Sequence, residues 1–152
     1  MEMTQEVVIR EYTPQDKPAV LELLRLNTPA YFSPEEEKDL IHYLEHEREL
    51  YFVVEHDGTL AGCGGINFSG DPTTGKISWD IIHPAYQGKG LGRSLLQHRI
   101  NLLKNRKQVR TISVRTSQLV YQFYERMGFE LLEMVPDYWA PGFDLYRMEY
   151  TR

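Results

Sequence analysis

The stretch Gln87-Gly88-Lys89-Gly90-Leu91-Gly92 decides how the rest of the chain is read. Before it, Ile77 to His83 is strand-like, and Pro84 ends that strand. After it, Leu91, Leu95, Ile100 and Leu103 trace a helix to about Arg106. Three alternate glycines between a strand and a helix let the backbone approach a ligand closely. The helix start adds unpaired N–H groups and the positive end of a dipole, which together hold phosphate without side chains. A glycine turn with no ligand is the plainer alternative. A dinucleotide fingerprint begun at Gly88 would need glycine where Arg93 stands. A Walker loop would need serine or threonine where Gly90 stands, and the kinase glycine loop precedes a strand.

Outward from this loop the pattern alternates between two periods. Val7-Val8-Ile9-Arg10 reads as a first strand. Thr13-Pro14-Gln15-Asp16 opens a helix, with Val20, Leu23, Leu24 and Asn27 as its stripe and Pro29 as its stop. Ser33-Pro34-Glu35-Glu36 opens a second as a capping box, running through Leu40, Ile41 and Leu44 towards Arg48. Tyr51 to Val54 is a strand, His56-Asp57-Gly58 a turn, and Leu60 to Phe68 the returning strand, weakened or bulged by Gly62, Gly64 and Gly65. Ser69 to Gly75 reads as an exposed loop. Beyond the third helix come a strand at Thr111 to Thr116 and a helix at Leu119 to Met127, closed by Gly128. Phe129 to Val135 and Asp144 to Tyr150 are the last strands, parted by an irregular loop over 136–142. The order βααβββαβαββ predicts one α/β domain over residues 1–152, a mixed central sheet flanked by helices.

Composition narrows the classes. The net charge of −5 argues against a nucleic-acid-binding face and suits a cationic partner. No apolar run is long enough to span a membrane, and Met1 to Gln5 lack the apolar core of a signal peptide. Cys63 is the single cysteine, which excludes an internal disulfide and fits a reducing, cytoplasmic setting.

Two motifs carry a family resemblance. Gln87, Gly90 and Gly92 match Gln/Arg-x-x-Gly-x-Gly/Ala, and Phe123-Tyr124-Glu125-Arg126-Met127-Gly128-Phe129 is similar to Phe/Leu-Tyr-Glu-x-x-Gly-Phe. With Ile9-Arg10 and Ile81-Ile82-His83-Pro84, the chain resembles the GNAT superfamily of N-acetyltransferases over nearly its whole length. The resemblance implies a sheet splayed between strands 4 and 5 and acetyl-CoA as donor. It also implies direct transfer in a ternary complex to a primary amine, on a small molecule or a peptide N-terminus. A catalytically silent acyl-CoA-binding module on the same fold is the other reading. Gln87, Gly88, Lys89, Gly90, Leu91, Gly92 and Arg93 would hold the cofactor. The Ile82 N–H would polarise the thioester, and the pantetheine arm would lie along the same strand. Tyr124 would contact the cofactor and protonate the leaving thiolate, or simply pack beneath it. Ser117 stands where many members carry asparagine against the cofactor arm. No metal is implied, and a homodimer is left open.

An alkyl ammonium has a pKa near ~10.4, so a base must take its proton. Asp80, in an otherwise apolar strand, is expected to do so directly or through water. Binding the amine without titrating, or a salt bridge to a neighbouring strand, are the alternatives. His83 is a rival base whose place before Pro84 suggests strand-end capping. Tyr31, Phe32, Tyr138 and Trp139 are expected at the acceptor site, where they suit a peptide N-terminus, a cationic amine or mere packing. His42-Tyr43-Leu44-Glu45-His46 fits a metalloprotease pattern but reads as a solvated helix face. Cys63, among glycines, reads as a small buried residue rather than an acetyl carrier.

Overall fold

Seven strands form one sheet in the order β1-β2-β3-β4-β5-β7-β6, in a computed structural model that describes residues 6–151. Met1 to Gln5, judged above for a signal segment, lie outside the described residues. In chain order the elements are β1 (Val7–Glu11), α1 (Lys17–Leu26), α2 (Glu36–His42), β2 (Leu50–His56), β3 (Thr59–Asn67) and β4 (Thr74–Ile82). Then follow α3 (Leu91–Lys104), β5 (Thr111–Thr116), α4 (Tyr121–Arg126), β6 (Phe129–Ala140) and β7 (Phe143–Tyr150). The order is the one the sequence predicts. No helix among the described residues is long and apolar enough to cross a membrane.

Every strand pairing is antiparallel except β4 with β5. That parallel pair is joined by α3, the crossover such a pair requires. Apolar layers cover both faces. Leu23, Leu24 and Leu40 pack on Tyr51, Val53 and Ile81 on one side. On the other, Leu95, Ile100 and Leu103 pack on Ile66, Ile77 and Val114.

Two features of β4 position the site. It pairs with β5 only from Thr74–Thr111 to Ile77–Val114, after which the strands part. It also carries a bulge: Ser78 pairs with Gly65 and Ile81 with Cys63, so Trp79 and Asp80 together oppose Gly64. Trp79 has φ 51°, and its carbonyl accepts the Tyr51 hydroxyl at 2.9 Å. The extra residue reverses the side-chain alternation. Ile77 faces α3, Trp79 faces the α1–α2 layer, and Asp80 then faces α3. Strict alternation would have sent Asp80 the other way.

Two sequence expectations need correcting. β4 begins at Thr74, so the loop after β3 is shorter than expected. The region 136–142 is mostly strand: β6 runs to Ala140, its pairing irregular between Leu131 and Glu133 and again between Val135 and Ala140, with a turn at Gly142, φ 83°. Carboxylates make this workable. Asp144 accepts the Asp137 N–H at 2.9 Å and Asp137 accepts the Gly142 N–H at 2.7 Å, so the distorted backbone keeps its bonds.

Candidate active site

β4 ends in a short turn over Pro84–Tyr86, where His83 Nδ1 accepts the Ala85 N–H at 3.0 Å. His83 is therefore a strand-end cap. Gly88 and Gly90 both have φ 82°, a conformation that costs other residues about 1–2 kcal/mol. Gly90 is the N-cap of α3 and, lacking a side chain, offers no capping bond. Ser94 N–H reaches back to Gly90 O at 3.0 Å, which leaves the N–H groups of Leu91, Gly92 and Arg93 without an intrahelical acceptor. With Arg93 also lining the groove at this helix start, these N–H groups are donors suited to an anion.

A groove of about 1270 Å³ runs from this helix start through the gap between β4 and β5 to the α1–α2 layer. It is lined by Tyr31, Phe32, Asp80, Ile82, Gln87, Gly88, Gly90, Leu91, Gly92, Arg93, Ser117, Tyr124 and Trp139. Two expected residues are not brought in. Lys89 is exposed between its two glycines and does not line the groove. Tyr138 is 47% exposed and does not line the groove; its ring meets that of Trp139 edge to face at 5.0 Å, and the Arg115 guanidinium sits over both rings and donates to the Tyr138 hydroxyl. Trp139 Nε1 donates to Thr116 O at 3.2 Å. At the acceptor end Phe32 stacks on Trp79, their rings 6.3 Å apart and 16° from parallel.

At the centre the buried Tyr124 and Arg99 meet the half-buried Asp80. Tyr124 donates to Asp80 Oδ2 at 2.6 Å, and Asp80 Oδ1 lies 2.6 Å from Arg99 Nη1. The latter contact is an ion pair poorly aligned for hydrogen bonding, since Oδ1 gains no directed bond. Arg99 has no exposed surface; its Nε donates to Leu95 O at 3.2 Å and its Nη1 to Gly65 O at 3.0 Å. Asp80 thus pairs with a helix residue, not with a neighbouring strand. Burial, reinforced by the Asp80 charge, holds the Tyr124 phenol well above its ordinary pKa. The phenol therefore keeps its proton through the neutral range. Burial works against the Arg99 charge, but Asp80 outweighs it and the guanidinium is held above its usual value.

Ile82 pairs with Gly62, while His83 N–H donates to Ala61 O at 2.8 Å. The antiparallel alternation then turns the Ile82 N–H away from β3, into the gap that β5 leaves. The Ile82 carbonyl accepts Asn27 Nδ2 at 3.0 Å, and Gln87 Nε2 lies 3.4 Å from Asn27 Oδ1. Asn27 links the end of α1 to the glycine loop. Ser117 is buried in the groove wall, its Oγ accepting the Leu119 N–H at 3.2 Å.

Arg99 was missed from sequence, although a signal existed. It shares the four-residue row of Leu91, Leu95 and Leu103, where an apolar side chain is expected. Trp79 gave no comparable signal, because nothing in an apolar strand marks which residue is extra. Cys63 is buried, its thiol pushed up to about 12 chiefly by burial, which suits a small core residue. His42 and His46 are exposed, and among the described residues no cluster of three or more His, Cys, Asp or Glu could hold a metal ion.

The family model described as the acetyltransferase (GNAT) family matches residues 17–129. An amino-acid acetyltransferase of Pasteurella multocida is 30% identical over 146 residues, covering 90% of this chain and 30% of that protein. The chain spans less than a third of the length of such curated relatives. Among solved structures, the ribosomal-protein-S18-alanine N-acetyltransferase from Escherichia coli superposes with a TM-score of 0.78 at 24% identity, over 95% of this chain and 93% of that one. N-acetylglutamate synthase from Neisseria gonorrhoeae, complexed with coenzyme A and N-acetyl-glutamate, gives 0.68 at 20% identity, over 97% of this chain and 36% of that one. At these identities the likeness is one of fold.

Proposed function

The chain belongs to the acetyltransferase (GNAT) family, and on that premise we propose that it transfers an acetyl group from acetyl-CoA to a primary amine. The observation that carries this is the Tyr124–Asp80 hydrogen bond, set beside an unpaired strand edge at the end of a phosphate-ready groove. The groove fits the donor: α3 begins uncapped, the glycines hold left-handed backbone, and the β4–β5 gap leaves room for an extended arm. Acetyl-CoA supplies an acetyl thioester. The relatives' names support an amino-acid amino group as acceptor, free in one case and in a ribosomal protein in another.

In the proposed reaction both substrates are bound together. The Ile82 N–H donates to the thioester oxygen as negative charge gathers there. The acceptor nitrogen, as neutral amine, forms its bond to the carbonyl carbon, and the C–S bond breaks with its electron pair on sulfur. The Tyr124 phenol gives its proton to that sulfur. Asp80 takes the proton lost from nitrogen, directly or through water, and returns one to Tyr124 across their hydrogen bond. Protons and charge then balance, and the side chains end as they began. Cys63, with its thiol protonated in the core, supports direct transfer over a cysteine-bound intermediate.

The test is thiol release from acetyl-CoA against the standard amino acids, short peptides and polyamines. Tyr124→Phe should lower kcat about 100-fold or more while leaving KM for acetyl-CoA nearly unchanged. If acetyl-CoA binds but no amine raises thiol release, the chain is a silent acyl-CoA-binding module and the reading fails.

A further inference from the structure

Arg99 has no part in the reaction above, and its surroundings are costly for a cation. It sits on α3 in the row of Leu91, Leu95 and Leu103, with no exposed surface. Its Nη2 is buried without a hydrogen-bond partner. A buried ion pair gains little stability over well-packed apolar side chains, so packing does not account for it. The fold nevertheless makes room for it from several directions. A Cβ at Gly64 would lie 2.2 Å from Asp80 Oδ1 and 2.8 Å from Arg99 Nη1, so β3 must carry glycine there. The extra residue in β4 turns Asp80 towards α3, and the Tyr51 hydroxyl satisfies the carbonyl which that distortion frees. These features converge on one carboxylate, whose second oxygen accepts the Tyr124 hydroxyl.

We propose that Arg99 is a positioning residue for acetyl transfer: it holds one oxygen of Asp80 so that the other stays on the Tyr124 hydroxyl. Arg99 acts through Asp80 and touches neither substrate. Its effect on rate rests on the acetyltransferase reading, whereas its hold on the Tyr124 hydrogen bond does not.

The test pairs a spectroscopic readout with a kinetic one. In the free protein the buried Tyr124 hydroxyl proton is followed by NMR and assigned by its absence in Tyr124→Phe. It should persist in Arg99→Lys and vanish or broaden in Arg99→Met. With an acceptor from the screen above, Arg99→Met should lower kcat about 100-fold with little change in KM for acetyl-CoA, and Arg99→Lys should recover part of that loss. Arg99→Met leaves Asp80 uncompensated and can fail to fold. Asp80→Asn is therefore compared with Asp80→Asn/Arg99→Met, whose kcat values should agree within about twofold because Arg99 works only through Asp80. An unchanged hydroxyl resonance in Arg99→Met, or a double variant far slower than Asp80→Asn, overturns the inference. A wild-type protein that acetylates nothing overturns the acetyltransferase reading instead, and the resonance comparison still judges Arg99.

Discussion

Gly64→Ala adds one methyl group at the most crowded point of the site. The new Cβ would stand 2.2 Å from Asp80 Oδ1, 2.8 Å from Arg99 Nη1 and 3.0 Å from Arg99 Cζ. None of these atoms yields cheaply, because Arg99 is anchored to Leu95 O and Gly65 O and Asp80 is held by Tyr124. To restore ordinary contact the carboxylate must retreat by about 1 Å, a displacement worth about 100-fold in rate when it misplaces reacting groups. Overpacking should add a stability loss of ~1–3 kcal/mol. Gly75→Ala separates the two effects. Its Cβ would press on Leu103 Cδ2 at 2.5 Å and Cδ1 at 2.9 Å, away from the triad and against a core side chain with no exposed surface. It should lose comparable stability yet keep kcat within about twofold. Urea melts give the stability and steady-state thiol release gives the rate. A Gly64→Ala enzyme with wild-type kcat would refute the claim that Asp80 must sit where it does.

Further outcomes follow from the same geometry. Gly90→Ala meets no atom within 4 Å but must hold φ 82°, so strain of about 1–2 kcal/mol should weaken acetyl-CoA binding roughly tenfold by calorimetry. Tyr51→Phe orphans the Trp79 carbonyl and should cost ~1–3 kcal/mol in a urea melt; unchanged stability would show that this bond does not support the bulge. The Arg10 guanidinium, bonded at 2.9 Å to each oxygen of Asp16, holds that carboxyl below its ordinary range against the effect of burial. A lowered folded value stabilises above the unfolded pKa near ~3.9 and is lost as pH falls through the folded value. Asp16→Asn should therefore be less stable than wild type at neutral pH. The gap should close below about pH 4, and a gap that stays constant would exclude this linkage.

The order of elements was legible because each helix and strand carries its own period and its own punctuation. Thr13-Pro14 and Ser33-Pro34 mark helix starts, and Gly128 marks an end. The glycine loop was legible because its chemistry is in the backbone, which needs only glycine spacing and a helix to follow. The centre of the site was half legible. Tyr124 and Asp80 could be named, but their hydrogen bond depends on a bulge that no residue type announces. Trp79 adopts φ 51° because Tyr51 and Phe32 hold it, and those contacts are non-local. Arg99 resembles the many helix arginines that face solvent, and only its place on an apolar row sets it apart. Tyr138 and Trp139 stay together around Arg115, and no residue type announces that only Trp139 reaches the groove wall.

The added residue in β4 works as a change of reading frame along the strand. Before Trp79, odd-numbered side chains such as Ile77 face α3; after it, even-numbered ones such as Asp80 do. A relative that kept these residues but ran the strand flat, with no bulge, would keep the glycine loop, the tyrosine motif and the aspartate, and would look intact to any comparison of motifs. Its carboxylate would nevertheless face the opposite helix layer from its tyrosine. Whether the strand bulges between the last β5-paired position and the aspartate, weighed with the number of residues there, is therefore a sharper criterion for an active member than finding either residue.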